Sequence, residues 1–174
     1  RKVMEIKTLE VKNISHYERG SEETPCFNAT VYINGKRAVE VSNNGHGGMD
    51  RQDVWHENGF NLKEINEWCV KTFGKKSFTY QSDSVVNGIK SKEKECFYDM
   101  DLEQFCHDAL YNWLDAKTLK KDLNSKFLFM EKNSKELNAY KKAKGEDEEL
   151  FASFFRGKHE GGTCLNFIPF DDAL

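Results

Sequence analysis

The chain of 174 residues has no long apolar run, only two prolines and a net charge of just −3. A membrane-spanning helix needs about 20 consecutive apolar residues, and no such run is present. The sequence also lacks the pattern of a secretion signal, a basic stretch followed by an apolar one and a small-residue cleavage site. We therefore expect a cytoplasmic protein that does not enter the membrane.

The near-zero charge also narrows the classes of partner. A domain that binds nucleic acid through bulk charge is strongly basic, and a protein that mimics nucleic acid is strongly acidic. With 26 basic and 29 acidic residues, this chain is neither. We expect a partner to be recognised by shaped loops and a few aromatic or charged anchors.

The sequence has five cysteines, which are widely spaced and form no C-x-x-C motif. A disulfide framework is therefore not expected. A zinc site would need scattered ligands such as Cys96, Cys106 and His107, whereas structural zinc sites usually show close ligand pairs. We predict no metal site, no cofactor and reduced, mostly buried thiols at Cys26, Cys69, Cys96, Cys106 and Cys164.

Large aromatic side chains, by contrast, are abundant: 13 Phe, six Tyr and three Trp. They are sufficient for a hydrophobic core, so the 32% of charged residues does not indicate disorder. The length fits one ordinary domain, and no linker composition or internal repeat divides the chain. We predict a single domain over residues 1–174.

The first third of the chain has the alternation typical of β-strands. Residues 3–11 alternate apolar and polar side chains, as a half-buried strand does. Two further alternating runs flank Asn34-Gly35, a pair that favours a type I′ turn because both residues tolerate positive φ. We predict a strand, then a β-hairpin, then a loop over residues 42–51, where the alternation ends.

Helical patterns follow. A capping-box-like motif begins at Asn61, and the amphipathic run after it ends at Gly74, in the position of a glycine C-cap. Apolar residues spaced by three and four predict a second helix from Asp101 to about Leu123. A third helix is predicted over residues 146–155.

The remaining segments are shorter or irregular. We predict short strands at 77–80, 127–130 and 164–169, a long polar loop over 81–99, and no clear structure in the lysine-rich segment 134–144. Strands come first and helices later, which favours an α+β fold. The expected architecture is a mainly antiparallel sheet with an N-terminal hairpin and two to three helices packed on it.

The glycine-rich loop over residues 43–48 is the first candidate functional segment. Its glycines allow a close backbone approach to a ligand, although neither G-x-G-x-x-G nor the P-loop motif is present. His46 and His56 with Asp50 or Asp53 form an alternative acid–base or metal group, but no helical spacing fixes their geometry. We favour a surface loop that contacts a partner over a catalytic centre.

Other candidates for catalysis are weaker. Cys106 and His107 are adjacent on a predicted helix, where their side chains point about 100° apart and form no dyad. Glu22 and Glu23 are neighbours on an extended chain and point to opposite faces. The lysines between residues 117 and 144 lack interleaved arginine, so they favour a solvated face over a nucleic-acid patch.

Three segments together carry a family resemblance. Residues 21–36 contain SEET-x-CF-x-A followed by Y-x-x-GK, and residues 43–48 contain N-x-G-x-GG. The third segment is the tail 166–174, which ends in PFDDAL. They resemble small orphan proteins encoded in bacteriophages and prophages. His46 stands where that pattern has arginine. The resemblance implies phage origin and no established catalytic activity. Phage accessory proteins of this size include inhibitors of host immunity such as anti-CRISPR proteins, which act by binding.

These observations together predict a non-enzymatic phage accessory protein that binds and inhibits a host antiviral complex in the host cytoplasm, with a CRISPR effector as the leading target. The alternative is a nucleic-acid or nucleotide-binding phage protein. We expect no cofactor and no membrane partner. The residues predicted to bind the partner are Arg19, Glu22, Glu23, Asn43, Asn44, Gly45, His46, Gly47, Gly48 and Arg51.

Overall fold

The computed structural model describes residues 5–80, 85–86, 89–90, 94–142, 145 and 147–169. Its fold is α+β, with antiparallel sheets, as the sequence predicted. Internal contacts divide the chain into two compact units, Arg1–Tyr111 and Asn112–Leu174. Whether the two units form one domain over 1–174 stays a prediction. No helix of the described residues is long and apolar enough to cross a membrane.

The first unit contains a four-stranded antiparallel sheet. Its strands are β1 (Leu9–His16), β2 (Cys26–Ile33), β3 (Lys36–Asn44) and β4 (Arg51–Val54), in that spatial order. One face of the two central strands is buried because apolar residues alternate along them. The buried apolar residues of these two strands are Phe27, Ala29, Val31, Ile33, Ala38, Val39 and Val41.

The hairpin predicted at Asn34-Gly35 is confirmed. Asn34 has φ of 50° and Gly35 has φ of 75°, the left-handed conformations that a type I′ turn requires. The side chain of Asn34 also accepts hydrogen bonds from the backbone N–H groups of Lys7 (2.8 Å) and Thr8 (3.1 Å). The turn therefore fixes the segment that leads into β1 as well as the strands it joins.

That tether explains why the first strand is not where the alternation predicted it. Residues 3 and 4 lie outside the described residues, residues 5–8 form no strand, and β1 begins at Leu9. The Glu5 carbonyl and the N–H groups of Lys7 and Thr8 bond to the Asn34 side chain. A register shift between Lys12 and Ser15, with Asn13 at φ of 55°, carries β1 on to His16.

The loop predicted over 42–51 is shorter than expected. Ser42, Asn43 and Asn44 continue β3, where they pair with residues 28, 27 and 26 of β2. Arg51 then begins β4 and pairs with Ser42. Backbone pairing needs no apolar side chain, so the loss of alternation did not mark the end of the strand.

Both predicted helices of the middle of the chain are confirmed. Helix α1 (Leu62–Phe73) begins where the side chain of Asn61 accepts from the Lys63 N–H at 2.8 Å, and Gly74 ends it. Helix α2 (Leu102–Ser125) begins where Asp101 accepts from the Gln104 N–H at 3.0 Å. Asparagine and aspartate satisfy the otherwise unpaired N–H groups of the first turn. The boundary between the two units falls inside α2.

The prediction of a loop over 81–99 is wrong at its C-terminal end. Strand β5 (Lys75–Tyr80) pairs antiparallel with β8 (Lys94–Asp99), and β6 (Val85–Val86) pairs with β7 (Ile89–Lys90). The rest of the predicted loop, residues 81–84, 87–88 and 91–93, lies outside the described residues. Strand β8 was not predicted because its sequence has no buried apolar face: all six of its residues stay at least partly exposed. It is a strand because its backbone pairs with β5.

The second unit contains the C-terminal part of α2, a small three-stranded sheet and a further helix. Strand β9 (Lys126–Met130) lies between β10 (Leu137–Lys141) and β11 (Thr163–Cys164), and α3 spans Glu148–Lys158. The buried strand predicted at 127–130 and the third helix are confirmed. Strand β10 falls in the lysine-rich segment thought to be irregular, and the predicted strand 164–169 shortens to β11 and a 3-10 turn at Leu165–Phe167.

Aromatic rings make the core of the second unit. Phe127 stacks on Phe151 with ring centroids 3.7 Å apart, and Phe129 packs edge-on against Phe155. Asn166 closes the unit at one end: it accepts from Leu128 N–H and donates to the carbonyls of Leu123 and Lys126. The Asn166 side chain thus bonds backbone groups of β9 that a paired strand would otherwise bond. Strand β11 therefore ends at Cys164.

Candidate functional site

The glycine-rich loop of the first unit is organised by the side chain of Asn43. This residue lies on the core-facing side of β3, two positions after Val41, and only 8% of it is exposed. Its Oδ1 accepts from the Thr24 hydroxyl (2.6 Å) and from the Gly45 N–H (2.8 Å). Its Nδ2 donates to Asp50 Oδ1 at 2.9 Å. Asn43 therefore links the two ends of the loop, at Gly45 and Asp50, from the buried side of the sheet.

The backbone at Gly45 holds the loop against the segment before β2. Its carbonyl oxygen accepts from three successive N–H groups, those of Glu22 (3.0 Å), Glu23 (2.9 Å) and Thr24 (3.3 Å). Gly45 has φ of 87°, and a Cβ there would overlap the carbonyl oxygen of Gly20. Only glycine fits at this position, both for its backbone conformation and for the space available.

The outer side of the same loop carries exposed groups. His46 Nδ1 lies 3.1 Å from Glu22 Oε2, and Arg51 Nε lies 2.7 Å from Asp53 Oδ2. Between them in sequence, Met49 is 83% exposed, more than any other large apolar residue among those described. A fixed loop thus presents one apolar side chain, the His46–Glu22 contact and the Arg51–Asp53 ion pair to solvent.

The structure brings most of the predicted binding residues together at this loop, but gives them different roles. Asn43 and Gly45 are buried and hold the loop, and the Asn44 side chain accepts from the His46 N–H at 3.2 Å. The side chain of Glu23 lies against Gly47. The exposed members, which can reach a partner, are Arg19, Glu22, Glu23, Asn44, His46, Gly48 and Arg51.

A cluster of ionisable side chains lies where the loop ends. Asp50 has a side chain with no exposed surface, and its Oδ2 lies 3.0 Å from His107 Nε2. Glu103 precedes His107 by one helical turn of α2 and accepts from the Asp50 N–H at 3.0 Å. One ligand atom from each of Asp50, Glu103 and His107 lies within 4.8 Å of the others.

The polar atoms at the centre of this cluster are not paired as hydrogen bonds. Among the described residues, Asp50 Oδ2 and His107 Nε2 are buried and neither makes an aligned hydrogen bond. The close polar contact with Asp50 raises the pKa of His107 above its ordinary value, against the opposing effect of burial. The edge of the His107 ring also meets the Phe27 ring, with centroids 5.9 Å apart.

The sequence did not predict this cluster. Of the four residues proposed for an acid–base or metal group around His46 and His56, only Asp50 belongs to it. Of the scattered zinc ligands, only His107 does; Cys106 lies on the buried face of α2, and burial raises the pKa of its thiol. Glu103 and His107 at a spacing of four on a predicted helix were the one available signal.

The second unit holds a different polar group. His159 is almost fully buried; its Nδ1 lies 2.5 Å from Glu131 Oε1 and its Nε2 lies 3.1 Å from the Tyr140 hydroxyl. Beside Tyr140 is a shallow apolar groove, which we call the α3 groove. It is lined by Tyr140, Lys141, Leu150, Phe151, Ser153, Phe154, Gly157 and Lys158.

Three of the nine lysines that the sequence singled out contact other side chains within the described residues. Lys126 pairs with Asp122 at 2.9 Å, and Lys142 pairs with Glu148 at 3.1 Å. Lys117 lies over the Trp113 ring, 4.8 Å from its centroid. Two of these lysines are therefore paired with carboxylates, and the solvated lysine face stays a prediction.

Comparison with protein-family models, with curated proteins and with solved structures finds no match to this chain.

Proposed function

We propose that the protein is a non-enzymatic phage accessory protein that binds and inhibits a host antiviral complex in the host cytoplasm. The observation that carries the proposal is the loop Gly45–Asp50, which is held from below by Asn43 while Met49 projects from it with 83% of its surface exposed. The phage origin and the class of target, a host antiviral complex, rest on a resemblance to phage proteins. The segments that carry this resemblance are 21–36, 43–48 and 166–174.

A loop that is already ordered binds at low entropic cost. Each flexible side chain or loop segment that must be fixed on association weakens binding. Here the Gly45 carbonyl and the Asn43 side chain fix the loop before any partner arrives. The thioether of Met49 adapts to irregular apolar surfaces, which suits it to a buried anchor at a protein interface.

The groups next to Met49 have the chemistry of an interface rim. The exposed pairs His46–Glu22 and Arg51–Asp53 lie on either side of it in sequence. Rim charges of this kind steer association and fix orientation more than they add affinity. We therefore assign Met49 the main energetic contribution and the two contacts a role in specificity.

A phage-challenge assay tests the proposal. Cells that carry an active CRISPR effector and express this protein should plate a targeted phage at higher efficiency than cells without it. Met49→Asp should abolish that rescue, since a charge at the centre of an interface is left desolvated and unpaired. The matched control, Leu137→Asp, places the same charge at a 54% exposed leucine outside the loop and should leave the rescue intact.

The purified protein should also retain the effector complex on an affinity column, with Met49→Asp losing retention. If a panel of purified effectors is neither inhibited nor retained, the proposal fails for CRISPR effectors. Equal rescue by the wild type and Met49→Asp would remove the loop as the binding surface.

A second candidate, nucleic-acid binding, rests on the α3 groove. Phe154 is 48% exposed, and Lys158 Nζ lies 5.3 Å from its ring centroid and 5.5 Å from that of Tyr140. Exposed aromatic rings beside lysines are the elements with which proteins bind single strands. Titration of labelled DNA and RNA oligonucleotides at low salt should then show affinity that falls with salt and with Phe154→Ala. Phe78→Ala, which removes another half-exposed ring, is the control and should leave the affinity unchanged. Flat titration curves for the wild type would rule out nucleic-acid binding.

A further inference from the structure

We propose that Asp50, Glu103 and His107 bind one divalent transition-metal ion at the base of the glycine-rich loop. The inference is independent of the proposed function. It rests on the arrangement of three donor atoms, on two buried polar atoms without aligned hydrogen bonds, and on neighbours that leave the donor atoms free.

The donor atoms have the spacing of a coordination shell. Bonds from such an ion to imidazole nitrogen or carboxylate oxygen are about 2.0–2.2 Å, so neighbouring ligand atoms lie about 3 Å apart and opposite ones a little over 4 Å. Asp50 Oδ2 and His107 Nε2 are 3.0 Å apart, and all three donor atoms lie within 4.8 Å of one another. Asp50 and His107 thus have the spacing of neighbouring ligands, and Glu103 lies near enough to supply a third, with the remaining positions left to water.

The pair at the centre of the site is not satisfied by an aligned hydrogen bond, although Asp50 Oδ2 and His107 Nε2 lie 3.0 Å apart. The side chain of Asp50 has no exposed surface, and its Oδ2 makes no aligned hydrogen bond in the described part of the chain. A buried carboxylate oxygen without an aligned hydrogen bond is incompletely compensated for its loss of water. A cation held between Asp50 Oδ2 and His107 Nε2 would satisfy both atoms at once and offset the charges of the two carboxylates.

The surrounding hydrogen bonds orient the ligands as a second layer does in metal sites. Asn43 Nδ2 donates to Asp50 Oδ1 at 2.9 Å, which leaves Oδ2 directed at His107. The Asp50 N–H donates to Glu103 Oε1 at 3.0 Å, which fixes that carboxylate beside the site. Glu103 and His107 share a helix face because they are four residues apart.

The donor set selects the class of ion. Imidazole nitrogen suits Zn²⁺ and carboxylate oxygen suits Mn²⁺, whereas Ca²⁺ and Mg²⁺ prefer shells made of oxygen alone. One nitrogen with two carboxylate oxygens therefore favours a transition ion. With only three protein ligands, the site resembles the open type of zinc site rather than the closed structural type.

Isothermal titration of the full-length, chelator-treated protein with Zn²⁺, Mn²⁺ and Ca²⁺ tests the proposal. We expect one Zn²⁺ or Mn²⁺ per chain, with Ca²⁺ at least about tenfold weaker, and a melting temperature that rises with the concentration of the bound ion. Binding of Co²⁺ should add visible absorption bands of a nitrogen- and oxygen-ligated ion. No binding of Zn²⁺ or Mn²⁺ at about millimolar ion would overturn the proposal.

Glu103→Gln is the sharpest variant, because its amide oxygen can still accept from the Asp50 N–H while the carboxylate ligand is lost. We expect it and His107→Gln to weaken ion binding at least about 100-fold, the upper end of what loss of an outer-layer partner costs. His46→Gln removes a histidine that pairs with Glu22 on the exposed side of the loop, and it should bind as the wild type does. Equal affinity in Glu103→Gln and wild type, with both folded by circular dichroism, would contradict the site.

Discussion

A Cβ atom at Gly45 would overlap the backbone carbonyl oxygen of Gly20. The close approach of these two glycines lets the Gly45 carbonyl reach the N–H groups of residues 22–24. Two segments that are distant in sequence, the turn before β2 and the loop after β3, are joined in this way through backbone atoms alone.

Gly45→Ala should therefore be strongly destabilising. The substitution forces an L-residue into φ of 87° and pushes the two segments apart. We expect a loss of about 2–4 kcal/mol in the free energy of unfolding, from conformational strain plus overpacking. The matched control is Gly48→Ala, which has the same φ of 87° but no atom within 4 Å of the added Cβ. It should lose only about 1–2 kcal/mol. Equal losses in chemical denaturation would mean that the contact with Gly20 is unimportant.

Asn166→Ala should destabilise the second unit. The Asn166 side chain makes three hydrogen bonds at 2.8 to 3.0 Å that join the end of α2 to β9. Removing it leaves one N–H and two carbonyl groups unpaired, so we expect a loss of about 2–4 kcal/mol. Asn138→Ala removes a single exposed hydrogen bond of 3.4 Å and should change stability by less than about 0.5 kcal/mol. Similar melting temperatures for the two variants would contradict this account.

The cysteines should divide into two classes in a thiol-labelling experiment. Cys69, Cys106 and Cys164 are buried, while Cys26 and Cys96 are partly exposed. Because the thiolate is the reactive form, a buried and protonated thiol reacts slowly. At neutral pH the native protein should label rapidly at Cys26 and Cys96 and only slowly at the three buried cysteines, whereas the denatured protein labels all five. Rapid labelling of Cys106 in the native state, read by peptide mass spectrometry, would show that α2 opens.

The pH dependence of stability should carry the signature of Cys69. Burial raises the pKa of this thiol from 9.0 to about 12. Between these values the unfolded chain has lost the proton and the folded chain retains it, so the free energy of unfolding falls as pH rises from 9 toward 12. The slope is up to about 1.4 kcal/mol per pH unit, and it is absent below pH 9.

Urea denaturation of the wild type and Cys69→Ala at several pH values measures that contribution. The variant is less stable at neutral pH because of the cavity, but its stability should fall less steeply above pH 9. Cys96→Ala, at a partly exposed position, should keep the wild-type slope. Parallel curves for all three proteins would contradict the raised pKa.

Local patterns predicted the elements whose hydrogen bonds close within a few residues. The Asn34-Gly35 turn, the caps at Asn61 and Asp101, and the apolar segment Phe127–Met130 are all where the sequence placed them. Each depends on the conformational preference or the capping chemistry of the residues at that place. The α+β class followed from the order of these elements.

Pairing between segments was much less predictable. Strands β4, β8 and β10 have polar or mixed sequences and are strands because a neighbour offers backbone partners. The same is true of Ser42–Asn44, which read as loop and extend β3. Periodicity reports which face of a segment is buried, and it is silent where neither face is strongly apolar.

The sequence by itself determined the class of fold, the hairpin, the three helices and the glycine-rich loop as a candidate contact surface. Only the tertiary structure decided that Asn43 points inward to brace that loop and that Asp50 meets Glu103, 53 residues away. The physical reason is the range of the interactions. Turns and caps are fixed by neighbours along the chain, whereas the Asp50, Glu103 and His107 cluster exists only because the end of the β3–β4 loop is packed against one face of α2.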